Sequence, residues 1–279
     1  MRVLRTMMKL STSEWEVATS WLLIGAIFFA MRSCEYLETS SKEESRRTKI
    51  LRVRNIQFVK NNKKVKYEDP KLELSNIVMI TFEFQKNDQR DVQIHMFKTN
   101  DPILNPVKAW ARTVQRVMNY PNGTIDSKVC TFWTDEQDYS FIQADHARTR
   151  LRSIVDIIGE DILGFSKDDV GLHSLRSGGA MAMFLSGIST IVIRRFGRWS
   201  SEAFLEYIRE QVEDFTAGVA QKMLSFETFS NLNKKAPGHG DGAGTDNKED
   251  GPELVNCAVR YSKLVLDKDF ESKRCKGQR

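Results

Sequence analysis

The stretch Gly171–Glu210, GLHSLRSGGAMAMFLSGISTIVIRRFGRWSSEAFLEYIRE, decides how the rest of the chain is read. His173 and Arg176 stand three residues apart, so they share one face at the start of a helix. Ser177, Gly178, Gly179, Ala180 and Ala182 follow, and a surface this small lets another backbone approach closely. Gly187 ends that helix. Ser189 caps the next one, which carries Arg194 and Arg195. The turn Gly197-Arg198-Trp199 leads to a further helix, capped by Ser200 or Ser201. Tyr207 sits on it beside an apolar stripe of Phe204, Ile208, Val212 and Phe215.

Outward from that stretch, the N-terminal part opens with the capping-box pattern Ser11–Glu14. A helix follows that is apolar on nearly every side through Trp21, Leu22, Ile24, Ile27, Phe28 and Phe29. Such a helix belongs at the centre of a bundle. Its end, AMRSCEYL, places Arg32 and Glu35 one turn apart. Arg32 directly follows the apolar run and is expected to be partly buried, which demands an anionic partner. Glu35 supplies one, as a helix-end ion pair or as a group that aims Arg32 at an external anion.

The middle of the chain reads as a small antiparallel sheet. Ile50–Val59 alternates with one slip near Asn55, the signature of a strand with a bulge. Asn61–Lys64 is a turn. Ile77–Phe84 and Asp91–Phe97 are partner strands around the polar turn Gln85–Arg90, with Lys86 at or near the tip. Asn105-Pro106 caps an amphipathic helix bearing Val107, Trp110, Ala111, Val114, Val117 and Met118, which Pro121-Asn122-Gly123 breaks. Another helix is predicted over Phe141–Ile158. From Asn233 to Asp250 the chain is polar, Gly-rich and without periodicity, a linker or disordered segment. A short helix over Val259–Phe270 completes the reading.

The 279 residues are 41% hydrophobic, enough for a substantial core, and carry a net charge of +5. The isoelectric point near 8.9 is compatible with a polyanionic partner without requiring one. The four cysteines (Cys34, Cys130, Cys257, Cys275) form no CxxC pair, as expected of a reduced intracellular protein without a zinc site. His95, His146, His173 and His239 are equally scattered, so no metal site is expected. The apolar run Val17–Met31 is shorter than the roughly 20 residues that span a bilayer. It lacks the small-residue cleavage site of a signal peptide, and a buried helix is expected there instead of a membrane segment.

Taken singly, these residues have ordinary structural readings. Tyr207 reads as a core tyrosine, His173 as a helix-capping or core histidine, Lys86 as a solvated hairpin tip. Arg194, Arg195 and Arg198 read as a basic face. Taken together, they fit phosphoryl chemistry. A phenol with pKa near 10 must lose its proton to attack a phosphodiester. Charge then builds on the non-bridging oxygens, which guanidinium groups such as Arg32 and Arg176 match bidentately. His173 and the Trp199 indole N–H can donate further hydrogen bonds. Lys86 can protonate the leaving alkoxide.

The ordered set Arg32-x-x-Glu35, Lys86 on a hairpin, His173-x-x-Arg176, Gly197-Arg198-Trp199 and Tyr207 resembles the catalytic domain of tyrosine recombinases (phage integrases). The wording MRSCEYL, ITFEFQKND, GLHSLRSGGA and GRWSSEAFLEYIR is similar to recombinases of eukaryotic mobile elements such as Cryptons. The resemblance covers roughly Ser11 to Phe226. It implies a mixed α+β fold, mostly α: a helical bundle with a small antiparallel sheet. The expected layout is a catalytic domain over 1–230 without the usual N-terminal DNA-clamping domain, then a flexible tail over 231–279. The spacing from Trp199 to Tyr207 is one residue tighter than the usual bacterial pattern.

The same resemblance implies double-stranded DNA as partner and a homo-tetramer on DNA. Cleavage would pass through a 3′-phosphotyrosyl link, with Arg32, Glu35, Lys86, His173, Arg176, Trp199 and Tyr207 as the catalytic set. No cofactor or metal is implied, and nuclear residence follows only from the mobile-element likeness. Arg194, Arg195 and Arg198 are expected to contact DNA backbone, so that binding falls with salt. Three alternatives stand beside this reading: a DNA-binding remnant that no longer recombines, a topoisomerase-like nicking and closing enzyme, and a helical interaction protein without catalysis.

Overall fold

The computed structural model describes residues 1–40, 47–85, 90–134 and 138–199. All of them belong to one compact unit. Lys86, Tyr207 with its expected helix, and the expected tail 231–279 lie outside the described residues.

The described residues form a mixed α+β fold, mostly helical, with a small antiparallel sheet, as expected. The organising element is α2 (Glu14–Phe28). It is apolar all round because it is surrounded, packing on α1 (Arg2–Lys9), α3 (Pro106–Asn119) and α6 (Leu172–Leu185). Ala18, Leu22, Leu23, Ile24, Ala26 and Ile27 are all buried. Its capping box is Ser13 with Glu16, one step later than the pattern expected at Ser11–Glu14. The Ser13 hydroxyl accepts from the Glu16 amide at 3.2 Å, and the Glu16 carboxylate accepts from the Ser13 amide at 3.2 Å. Ser11 instead bonds Ser20 at 2.9 Å, stitching the α1–α2 corner.

The sheet has the order β2-β1-β3-β4, from β1 (Ile56–Lys60), β2 (Lys63–Val65), β3 (Ile77–Phe82) and β4 (Val92–Phe97). Every pair is antiparallel. Alternation sets the faces: Ile56, Phe58, Val78, Ile80 and Phe82 are buried, on the side that α3 covers. The strand expected over Ile50–Val59 is shorter. Val53–Asn55 forms a 3-10 turn, in which the Asn55 carboxamide accepts from the Arg52 amide at 2.7 Å. The slip in the alternation thus marks a change of element, not a bulge. The turn expected over Asn61–Lys64 is tighter: Asn61 and Asn62 are left-handed, as a two-residue hairpin requires, and Lys63 and Lys64 already belong to β2.

The helix predicted over Phe141–Ile158 begins later, as α4 (Ala144–Ile158). Phe141 ends a two-stranded hairpin of β5 (Thr131–Trp133) and β6 (Tyr139–Phe141), which the sequence reading missed along with α1. A single turn, α5 (Glu160–Leu163), leads to α6 and then to α7 (Thr190–Gly197). The Ser189 hydroxyl caps α7, as expected. Among the described residues no helix is long and apolar enough to cross a membrane.

The small residues of α6 serve the purpose read from them at one position. A Cβ on Gly179 would stand 2.5 Å from the Ile27 carbonyl oxygen of α2, so α6 and α2 approach backbone to side. A Cβ on Gly178 would meet nothing within 4 Å. That contact brings the start of α6, with His173 and Arg176, to the C-terminal end of α2.

Candidate functional site

The site is built on the C-terminal end of α2. The chain leaves the helix in a Schellman arrangement. The Met31 amide reaches back to the Ala26 carbonyl at 3.1 Å and the Ala30 amide to that of Ile27 at 3.2 Å. Ala30 takes the left-handed conformation, φ 44°, that such an ending needs. The carbonyls of Phe29 and Ala30 are left pointing out of the helix, without intrahelical donors.

Two guanidinium groups fill those places. Arg198 Nη1 donates to Phe29 O at 3.1 Å, and Arg176 Nη1 donates to Ala30 O. The same two side chains reach the end of α7: Arg198 to Phe196 O at 3.1 Å and Arg176 to Gly197 O at 2.5 Å. Cations at two helix C-termini also oppose both macrodipoles favourably.

Glu35 supplies the counter-charge. It lies in a 3-10 turn, Ser33–Glu35, and not on α2 as the sequence suggested. Its carboxylate is 1% exposed and shared three ways. Oε2 accepts from Arg198 Nη2 at 2.6 Å and from the Arg32 amide at 2.8 Å, while Oε1 accepts from Arg32 Nη1 at 3.1 Å. Arg32 is 22% exposed and Arg198 is not exposed at all. The expectation for Arg32 and Glu35 therefore holds in its geometry: a partly buried arginine oriented by a buried carboxylate.

Arg198 corrects the sequence reading. Of the three arginines expected to contact DNA backbone, Arg194 and Arg195 are exposed on α7, but Arg198 is turned inward. Besides its hydrogen bonds, its guanidinium stacks on the Phe82 ring at 3.7 Å. Burial presses its pKa down, and Glu35 works against that shift. Arg198 also holds a left-handed backbone, φ 56°, at the end of α7. For a residue with a Cβ this costs roughly 1–2 kcal/mol, where Gly would cost little.

Arg176 departs from expectation as well. It is 2% exposed, and the Trp199 ring lies over its guanidinium at 4.2 Å. His173 is exposed at the first turn of α6. Partial desolvation holds its imidazole below the ordinary value, and the charges of Arg176 and Arg32 add to the effect. It is therefore neutral at pH 7, able to donate from one nitrogen and accept at the other. A cleft of about 450 Å³ opens beside it, lined among others by Ser33, Glu38, Arg148, Arg152 and Leu172.

Arg32, Glu35, His173, Arg176 and Trp199 are thus drawn together from three segments far apart in sequence. Lys86 lies outside the described residues, but the base of its hairpin is fixed. Glu83 accepts from Arg54 Nε at 3.2 Å and from Asn55 Nδ2 at 2.7 Å. Those contacts hold the Glu83 carboxylate below its usual range, Arg54 contributing most. Sequence reasoning missed Arg54, Asn55, Glu83 and Phe82. The slip at Asn55 was visible, but nothing tied it to Glu83. Among the described residues no group of three or more His, Cys, Asp or Glu is placed to hold a metal.

The class defined by this geometry is a mostly helical α+β domain with a buried arginine–carboxylate cluster at the end of its central helix. The chain matches no protein-family model and no curated protein. Among solved structures it is similar to XerH site-specific recombinase bound to palindromic difH substrate, in a post-cleavage complex. That match has 14% identity and a TM-score of 0.48, covering 79% of this chain and 51% of that one. It is also similar to XerH bound to difH substrate in a pre-cleavage complex, at 13% identity, TM-score 0.46, with 78% and 51% covered. The chain spans about half the length of these solved chains. Identity this low leaves function to be argued from the side chains.

Proposed function

We propose that this chain cuts and rejoins double-stranded DNA with Tyr207 as nucleophile. The observation that carries the reading is the buried Glu35 carboxylate holding Arg32 at the surface, with His173, Arg176 and Trp199 gathered around the same helix end. The Tyr207 oxygen attacks the scissile phosphorus and gives up its proton to solvent water. The bond from phosphorus to the 5′ oxygen breaks, and Lys86 protonates that oxygen. Arg32, joined by Arg176 once Trp199 moves off it, balances charge on the non-bridging oxygens. His173 and Trp199 donate to the same oxygens. The bond energy is kept in the 3′-phosphotyrosyl link, so a second 5′-hydroxyl can reverse the step without a nucleotide cofactor. Recombination between two duplexes would use a homo-tetramer.

A nicked suicide duplex tests this. The 5′ product diffuses away after cleavage, and a covalent protein–DNA adduct is expected that Tyr207→Phe abolishes. Peptide mapping should place the nucleotide on Tyr207. Relaxation of supercoils without exchange between duplexes would point to nicking and closing alone.

One observation favours a second reading, that of a DNA-binding remnant. Arg176 is spent on two backbone carbonyls under an indole, as a structural residue would be. Salt-dependent duplex binding with no adduct would establish it. Neither binding nor adduct would leave a helical interaction protein.

A further inference from the structure

We infer that Arg198 is a positioning residue for Arg32, a role that rests on the DNA-cleavage reading of the site. Three features carry it. First, Arg198 and Arg32 divide one carboxylate: Arg198 holds Glu35 Oε2 at 2.6 Å, which leaves Oε1 to orient the Arg32 guanidinium at 3.1 Å. With Arg198 in place, Arg32 meets a carboxylate already fixed on its far side. The Arg32 side chain itself remains 22% exposed. Second, Arg198 ties together three of the segments that frame the site. It reaches the end of α2 through Phe29 O, the end of α7 through Phe196 O, and the end of β3 through the Phe82 ring. Third, Arg198 holds a left-handed helix end where glycine would be easier, and its side chain turns inward from there onto Glu35.

The proposal moves Arg198 from the DNA surface, where its sequence placed it, to the interior of the site. It acts through Arg32 and touches no substrate. Lysine at this position keeps the charge but loses the planar fork that serves Glu35 and the two carbonyls together.

The test compares wild type with Arg198→Lys in the full chain. In the variant, the Arg32 guanidinium protons, followed by NMR, should exchange with solvent roughly tenfold faster, as expected when a charge-assisted contact to the shared carboxylate is lost. Single-turnover cleavage of the nicked duplex should fall on the order of 100-fold, the scale of a misplacement of about 1 Å, with duplex affinity unchanged. Substituting a methylphosphonate at the scissile position removes the phosphate charge that Arg32 balances. The difference between variant and wild type should shrink on that substrate, which a collapsed fold could not produce. If Arg198→Lys does not fold, Phe82→Leu removes the ring under the guanidinium and should give the same changes at smaller size. Unchanged Arg32 exchange in the folded variant, or a cleavage loss equal on both substrates, would overturn the proposal. Absence of an adduct in wild type would instead sink the cleavage reading, and the exchange measurement would still decide whether Arg198 positions Arg32.

Discussion

The middle of α2 and its C-terminal end lie within two turns of each other and are held by opposite physics. In the middle, Leu22, Leu23 and Ile24 are wholly buried, and a Cβ on Gly25 would press to 2.8 Å from the Trp110 ring. That contact is close packing between apolar surfaces, graded and non-directional. At the end, two buried guanidinium groups, one buried carboxylate and four backbone carbonyls are joined by directed bonds. Packing loses stability in proportion to the volume removed. A buried charge cluster fails as a unit, because removing one member strands another in a medium that cannot solvate it. The difference lies in tolerance: the apolar middle is held by packing that can give a little, whereas the charged end holds two arginines and a carboxylate in fixed mutual directions.

The sharpest way to break this comparison is Glu35→Ala. It strands Arg198, whose side chain has no exposure. Chemical denaturation should show a loss of about 3–5 kcal/mol, the usual cost of breaking a buried pair. A loss under about 1 kcal/mol, the scale of a surface pair, would mean the knot is not a unit.

A smaller effect separates two neighbouring glycines. Gly179→Ala forces a methyl against the Ile27 carbonyl and should cost about 1–3 kcal/mol through overpacking. Gly178→Ala meets open space and should stabilise α6 by roughly 0.5–1 kcal/mol, because alanine is the better helix former. Unfolding curves of the pair should therefore move in opposite directions.

Ser13→Ala removes the N-cap of α2 and should cost about 1 kcal/mol without changing Arg32 exchange, since the two ends of the helix are held independently.

The smallest effect concerns pH. His173 is lowered by desolvation and by Arg176 and Arg32, and His95 by desolvation and Arg195. Both start from an ordinary value of 6.5. Above that pH both states are neutral at these positions. Below it the unfolded chain takes up protons first, so stability falls as pH drops from 6.5 toward the lowered native values. His173→Gln should flatten part of that decline, and His95→Gln the rest. An unchanged slope in both would place the titrating groups elsewhere.

Much of the fold was legible because it follows from local pattern. The all-round apolar helix, the Asn105-Pro106 cap, the Asn61-Asn62 turn and the β3–β4 pair all came from short-range chemistry. What was missed is equally local but weaker: α1 and the β5–β6 hairpin are short, and the three residues of a short strand hold too few alternations to reveal a period. For the site, Arg32, Glu35, His173, Arg176 and Trp199 could be named from their order. Which way each side chain points could not.

By itself, the sequence determined the local devices that let the elements meet at the end of α2. The gap in side-chain volume at Gly179 and the cap at Ser189 are written in residue types and spacings. Tertiary structure alone decided that Arg198 and Arg176 face inward while Arg194 and Arg195 face out. Adjacent arginines are chemically identical. Their environments differ only because the carbonyls of Phe29 and Ala30, some 150 residues earlier in the chain, need donors at that place.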